Sequence, residues 1–144
     1  MELSHDAWAT LLLTGYFPGG GQHGASPLSP IEWSRLVRWM VQQEKRPQDL
    51  IIGDVAPWLG DFHDKDITLA RVLALLERRL QVSINLEKWQ KAGLWVITRA
   101  DDRYPRVLKQ TLRDASPPFF HGAGDPKVLD TKAIAVVGSR NASE

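Results

Sequence analysis

The chain has 144 residues, 43% of them hydrophobic and 24% charged, so it can bury a core as a globular protein of one domain, or one small domain and part of another. It holds no cysteine, which excludes disulfide frameworks and thiolate metal sites, and a net charge of +1 announces no nucleic-acid partner unless the cations are clustered. Its N-terminal apolar run, Leu11-Leu12-Leu13, is far too short to span a bilayer and lacks the flanks of a signal peptide, so a cytoplasmic location is expected.

In chain order, Asp6 to about Leu13 reads as a short helix with Trp8, Leu11 and Leu12 on its apolar face. Gly19 to Ser26 has no periodicity and is a loop. Ser29 is an N-cap, Pro30 suits the first helical position, and Glu32 completes a capping box. Trp33, Leu36, Val37, Met40 and Val41 then recur at helical spacing, which predicts a helix to about Glu44. Pro47 opens a helical turn through Ile51. Leu69, Val72, Leu73, Leu76 and Leu80 form one stripe on a helix over about Thr68–Leu80. A further helix is predicted from near Asn85 to Gly93, a natural left-handed C-terminal residue.

After Gly93 the pattern changes. Leu94–Thr98 reads as a buried strand, and Asp101–Pro105 as a turn into a helix. Ser116-Pro117-Pro118 breaks that helix, Phe119-Phe120 is a brief strand ending at Gly122, and Asp125-Pro126 begins another helical turn. Ala133–Val137 is continuously apolar, the mark of a strand covered on both faces, and it runs straight into Gly138–Ser143. The fold class expected is therefore α/β: an all-helical N-terminal domain over residues 1–92, then the opening strands of an α/β domain over 93–144.

A buried strand followed by a Gly/Ser turn can cradle phosphate on its backbone N–H groups and on the next helix N-terminus. In such a cradle Gly138 lets the ligand approach, Ser139 and Ser143 donate hydroxyl hydrogen bonds, and Arg140 forks onto phosphate oxygens. The segment is neither a GxGxxG nor a P-loop, and a strand-glycine turn often only turns.

Three segments in order resemble the DprA/Smf DNA-processing family. They are Gly93–Thr98 with Asp102-Arg103-Tyr104-Pro105 and Leu108; Ser116-Pro117-Pro118-Phe119-Phe120-His121-Gly122; and Ala133–Ser143. The resemblance covers residues 85–144 and implies a Rossmann-type domain that binds single-stranded DNA. It also implies loading of RecA onto DNA entering in natural transformation, with no substrate turned over and no cofactor. In the family the arginine of this loop lies in the pocket holding the DNA backbone; that position is Arg140 here, beside Gly138 and Ser139, and Ser143 matches the motif's serine. The family's later segments carry its dimer and RecA surfaces, whereas this sequence runs to Glu144, one strand and one loop into the domain.

Other features have a plain reading beside a sharper one. Arg106, Lys109 and Arg113 share a helix face, with Arg103 just before it; such a stripe can track a phosphate backbone or be a solvated face. The six tryptophans can be core residues or include a base-stacking platform, with Trp39, off the apolar stripe, the best candidate. His63 lies near Asp61, Asp64 and Asp66, which a polar turn explains as well as a metal, and no histidine pair has ligand spacing. Two rivals to a DNA-binding module remain: a Rossmann-like nucleotide-binding or hydrolysing enzyme, and a helical protein-interaction domain carrying an α/β stub.

Overall fold

The computed structural model describes residues 2–17 and 24–138. Helix α1 (His5–Thr14) starts where the Ser4 hydroxyl accepts the Ala7 N–H at 3.2 Å. Ala9, Leu11, Leu12 and Leu13 are all buried, so this helix is apolar around most of its circumference and forms the middle of the core. Its buried hydroxyls are satisfied within the helix, Thr10 on the Asp6 carbonyl at 2.8 Å and Thr14 on that of Thr10 at 2.6 Å.

Helix α2 (Pro30–Gln42) carries the predicted capping box: Ser29 N–H donates to Glu32 Oε2 at 2.7 Å, and Glu32 N–H to Ser29 Oγ at 3.2 Å. Trp33, Leu36 and Met40 are buried, while Val41 turns to solvent. A short 3₁₀ helix, Pro47–Leu50, docks on α1 because the buried Asp6 carboxylate accepts from Gln48 N–H at 2.9 Å and from the Arg46 guanidinium. No periodicity marks α3 (Ala56–Leu59), a single turn that buries Leu59.

One helix was expected from Thr68 to Leu80 and another from Asn85. The structure instead has α4 (Leu69–Leu76) and α5 (Arg79–Lys91), with the break at Glu77 and Arg78. Its cause lies at the far end of α1. Arg78 turns inward to donate to the carbonyls of Gly15, at 3.1 Å, and Leu12, where the negative end of the helix dipole favours a cation. The change of direction takes Leu80 off the stripe and leaves it 74% exposed, and Asn85 becomes a buried interior residue bonded to the Gln81 carbonyl at 2.9 Å.

Gly93 closes α5 with φ +71°, as its position predicts. Strand β1 (Trp95–Thr98) then pairs antiparallel with β2 (Phe119–Gly122), in register Trp95↔Gly122 through Thr98↔Phe119. Gly122 is required: a Cβ there would lie 2.7 Å from the Trp95 ring. Helix α6 (Arg106–Leu112) follows Pro105, and a 3₁₀ helix, Pro126–Asp130, is capped by Asp125 on Lys127 N–H at 2.9 Å.

The strand expected over Ala133–Val137 is not formed. Residues 132–138 have no regular structure, and Ile134, Val136 and Val137 are 93%, 93% and 92% exposed. A strand covered on both faces needs neighbours for its backbone and side chains, and none lies beside it among the described residues. The fold is thus mixed α/β with a two-stranded antiparallel sheet laid on a helical core. No helix among the described residues is long and apolar enough to cross a membrane.

Candidate nucleic-acid interface

Two of the three segments singled out by resemblance form one hydrogen-bonded unit around Arg99. Directly after β1, its N–H donates to the Pro118 carbonyl at 3.0 Å. Its guanidinium reaches Ser34 Oγ at 2.6 Å and the carbonyls of Asp114 at 3.2 Å, Pro117 at 3.3 Å, Pro30 at 3.5 Å and Ser116. Tyr104 donates its hydroxyl to the Pro117 carbonyl at 2.8 Å and sets its ring edge-on to Phe120, centroids 5.3 Å apart. The Ser116 hydroxyl turns back to the Arg113 carbonyl at 2.6 Å. Three successive carbonyls, 116 to 118, are therefore paired, and the Pro-Pro turn is fixed to α2.

The electrostatics follow from burial. Arg99 meets only neutral acceptors, and desolvation pulls its pKa below the ordinary 12.5. Burial likewise pushes the Tyr104 phenol above 10.0, against the opposing pull of Arg99. Sequence reasoning missed Arg99, whose partners on α2 lie 65 and 69 residues away; no local pattern marks it.

The predicted stripe divides. Arg103 is committed to its own turn, with Nη2 2.6 Å and Nε 3.0 Å from the Asp101 carboxylate, which this pairing holds below its usual pKa. Arg106, Lys109 and Arg113 are exposed, and none of them pairs with a carboxylate among the described residues. Lys109 Nζ stands 5.3 Å over the Tyr104 ring, and Arg113 ends α6 with φ +49°. Helix α6 buries none of its residues. Those three side chains are therefore exposed, two on α6 and Arg113 just past its end.

Gly138 is exposed, with open space where a Cβ would stand. Ser139, Arg140 and Ser143 lie outside the described residues. Trp39 is half-buried between Trp58, whose centroid is 6.3 Å away, and Phe62, at 5.0 Å. Trp33 is in the core, and Trp89 stacks on His121 at 4.3 Å. Beside His63, the carboxylates of Asp64 and Asp66 are both engaged by Arg35, at 2.8 and 2.9 Å.

No curated protein and no solved structure matches the chain. The family match covers less than half of it, and it includes the Arg99–Tyr104 unit, α6 and the loop from Gly138. Residues 95–144 match the family model of DNA recombination-mediator protein A, the DprA/Smf family that the three motifs resemble.

Proposed function

We propose that this chain is a single-stranded-DNA-binding, DNA-processing protein of the DprA type. The observation that carries the reading is the family match over residues 95–144, which points to DNA recombination. The loop Gly138–Ser143 supplies phosphate contacts, with Arg140 forking onto the backbone, and Ala133–Val137 becomes the first strand of a Rossmann sheet when its neighbours are in place. Single-stranded DNA is the ligand, RecA the protein delivered onto it, and a second copy the partner in a dimer. The role is binding and delivery in transformation or recombination, without turnover and without a cofactor, in the cytoplasm.

Three exposed cations, two on α6 and one just past its end, with no carboxylate partner among the described residues, support the DNA reading on physical grounds. Fluorescence anisotropy of a labelled oligo-dT against the 144-residue chain tests it, at low and moderate salt. Binding should weaken as salt rises and should fall by about tenfold or more in Arg140→Ala, the scale of a lost charge-assisted contact. Affinity indifferent to salt and to Arg140→Ala would rule out the phosphate role of the loop.

A further inference from the structure

A cleft of about 400 Å³ lies between α1, α2 and the end of β1. Three guanidiniums line it, those of Arg38, Arg46 and Arg99, against two carboxylates, Asp6 and Asp114. The local balance is therefore one positive charge. It falls on Arg99, whose hydrogen bonds all go to a hydroxyl or to carbonyls. A partly desolvated cation with no ion-pair partner of its own, here only near the Asp114 carboxylate that Arg38 holds, favours a further anion beside it.

The other two arginines have donors to spare. Arg38 uses only Nη2, which bridges both oxygens of Asp114 at 2.8 and 2.7 Å. Arg46 likewise engages Asp6 through Nη2 alone. The Nε and Nη1 groups of both side chains have no protein partner among the described residues, so each keeps donors open for an oxyanion on either side of the engaged Nη2. Between them the wall is apolar, with Val37 and Pro47 available to the body of a ligand larger than a bare ion. Asp114, which lines this cleft, follows Arg113 directly in the chain.

We propose that this cleft binds the phosphate ester of a nucleotide, with Arg38 and Arg46 donating to the oxygens and Arg99 supplying fixed positive charge behind them. Asp114 is the competing anion that the phosphate displaces from Arg38. The same chemistry is offered by a free nucleotide and by a nucleic-acid strand. The inference stands on residues 6–114 and is independent of the role assigned to Arg140.

Calorimetric titration of the 144-residue chain with thymidine 5′-monophosphate, unphosphorylated thymidine and a short oligo-dT tests it. The informative variants are Arg38→Gln and Asp114→Asn, whose side chains are 59% and 56% exposed and paired on the surface, so both should leave the fold intact. Arg38→Gln should weaken binding about three- to tenfold and Asp114→Asn should tighten it by a similar factor, because one removes a ligand contact and the other a competitor. Loss of a merely structural ion pair would move both variants the same way. Opposite shifts with the mononucleotide identify a nucleotide site; opposite shifts with the oligonucleotide alone identify a strand-binding site. Equal binding of thymidine, no binding of either phosphate ligand, or variants that shift together would overturn the proposal.

Discussion

Tyr104 and Pro117, thirteen residues apart, are joined by a 2.8 Å hydrogen bond from the phenol to the proline carbonyl. That bond ties the turn before α6 to the turn after it, and so holds the two family-like motifs as one unit. Tyr104 is buried, whereas the Pro117 carbonyl also receives Arg99 Nε at 3.3 Å, so removing the hydroxyl leaves no orphaned acceptor. Tyr104→Phe should lower the unfolding free energy by about 1 kcal/mol in urea titrations. Burial raises the phenol pKa in the folded state, so its contribution is present below the ordinary 10.0 and is lost as pH rises through the folded value. The alkaline decline in stability should be shallower in Tyr104→Phe. An unchanged midpoint and an unchanged alkaline limb would mean the bond does not persist in solution.

Asp64 is the carboxyl most strongly tuned by its surroundings. Arg35 hydrogen-bonds it at 2.8 and 2.9 Å, and the N–H groups of Asp66 and Ile67 add bonds at 2.9 and 3.1 Å, which together lower its pKa from 3.8 to about 2. The folded value lies below the unfolded one, so the stabilisation is present above pH 3.8 and disappears as pH falls through about 2. Carboxyl-carbon NMR should find Asp64 titrating near that low value. In Arg35→Gln the midpoint should rise toward the ordinary one, stopping short of it because the two backbone donors remain. A normal midpoint in the unsubstituted chain would show the pair to be broken in solution.

Glu32 has two tasks at the start of α2. One oxygen accepts from the Ser29 N–H, and both are engaged by Arg71, at 2.8 and 3.1 Å, which is the main reason its pKa is lowered. Ser29→Ala removes only the cap and should cost about 1 kcal/mol. Glu32→Gln keeps a cap acceptor but leaves Arg71 without its carboxylate in a site where both side chains are mostly buried, 17% and 16% exposed. Thermal and urea denaturation should therefore rank Glu32→Gln as the more damaging, by about 1–3 kcal/mol in all. The reverse ranking would mean that the capping bond outweighs the ion pair.

What could be read from the sequence was what residues close in the chain settle among themselves. Ser29, Pro30 and Glu32 fix the start of α2 within four residues, and Gly93 ends α5 by its own backbone preference. Arg106, Lys109 and Arg113 are each exposed, but Arg113 lies past the end of α6 at φ +49°, where helical spacing no longer sets its direction. The break at Arg78 was not legible, since its cause is a pair of carbonyls 63 and 66 residues away. Arg99 was hidden for the same reason. The apolar run Ala133–Val137 announces that a segment wants covering on two sides, but not whether strands stand ready to cover it. Of the predicted phosphate loop only Gly138 lies within the described residues, so the resemblance alone carries that part of the site.

The stripe on α6 lends itself to a thermodynamic test. Arg106 and Arg113 are exposed and touch no carboxylate among the described residues, and α6 buries no side chain, so Arg106→Gln/Arg113→Gln should leave stability within about 0.5 kcal/mol of the unsubstituted chain. A single-stranded ligand loses about 0.7 from the slope of log affinity against log salt for each phosphate contact removed, so the double substitution should flatten the slope by about 1.4 if both cations meet the backbone. Arg103→Gln is the internal control. Its guanidinium is already spent on Asp101, so it should disturb the turn while leaving the salt slope alone. Should the double variant keep the original slope, the stripe is a solvated face, and DNA binding must be sought in the Gly138 loop or in the arginine cleft; should Arg103→Gln flatten it as well, the Asp101 pair gives way to phosphate and the stripe begins one turn earlier.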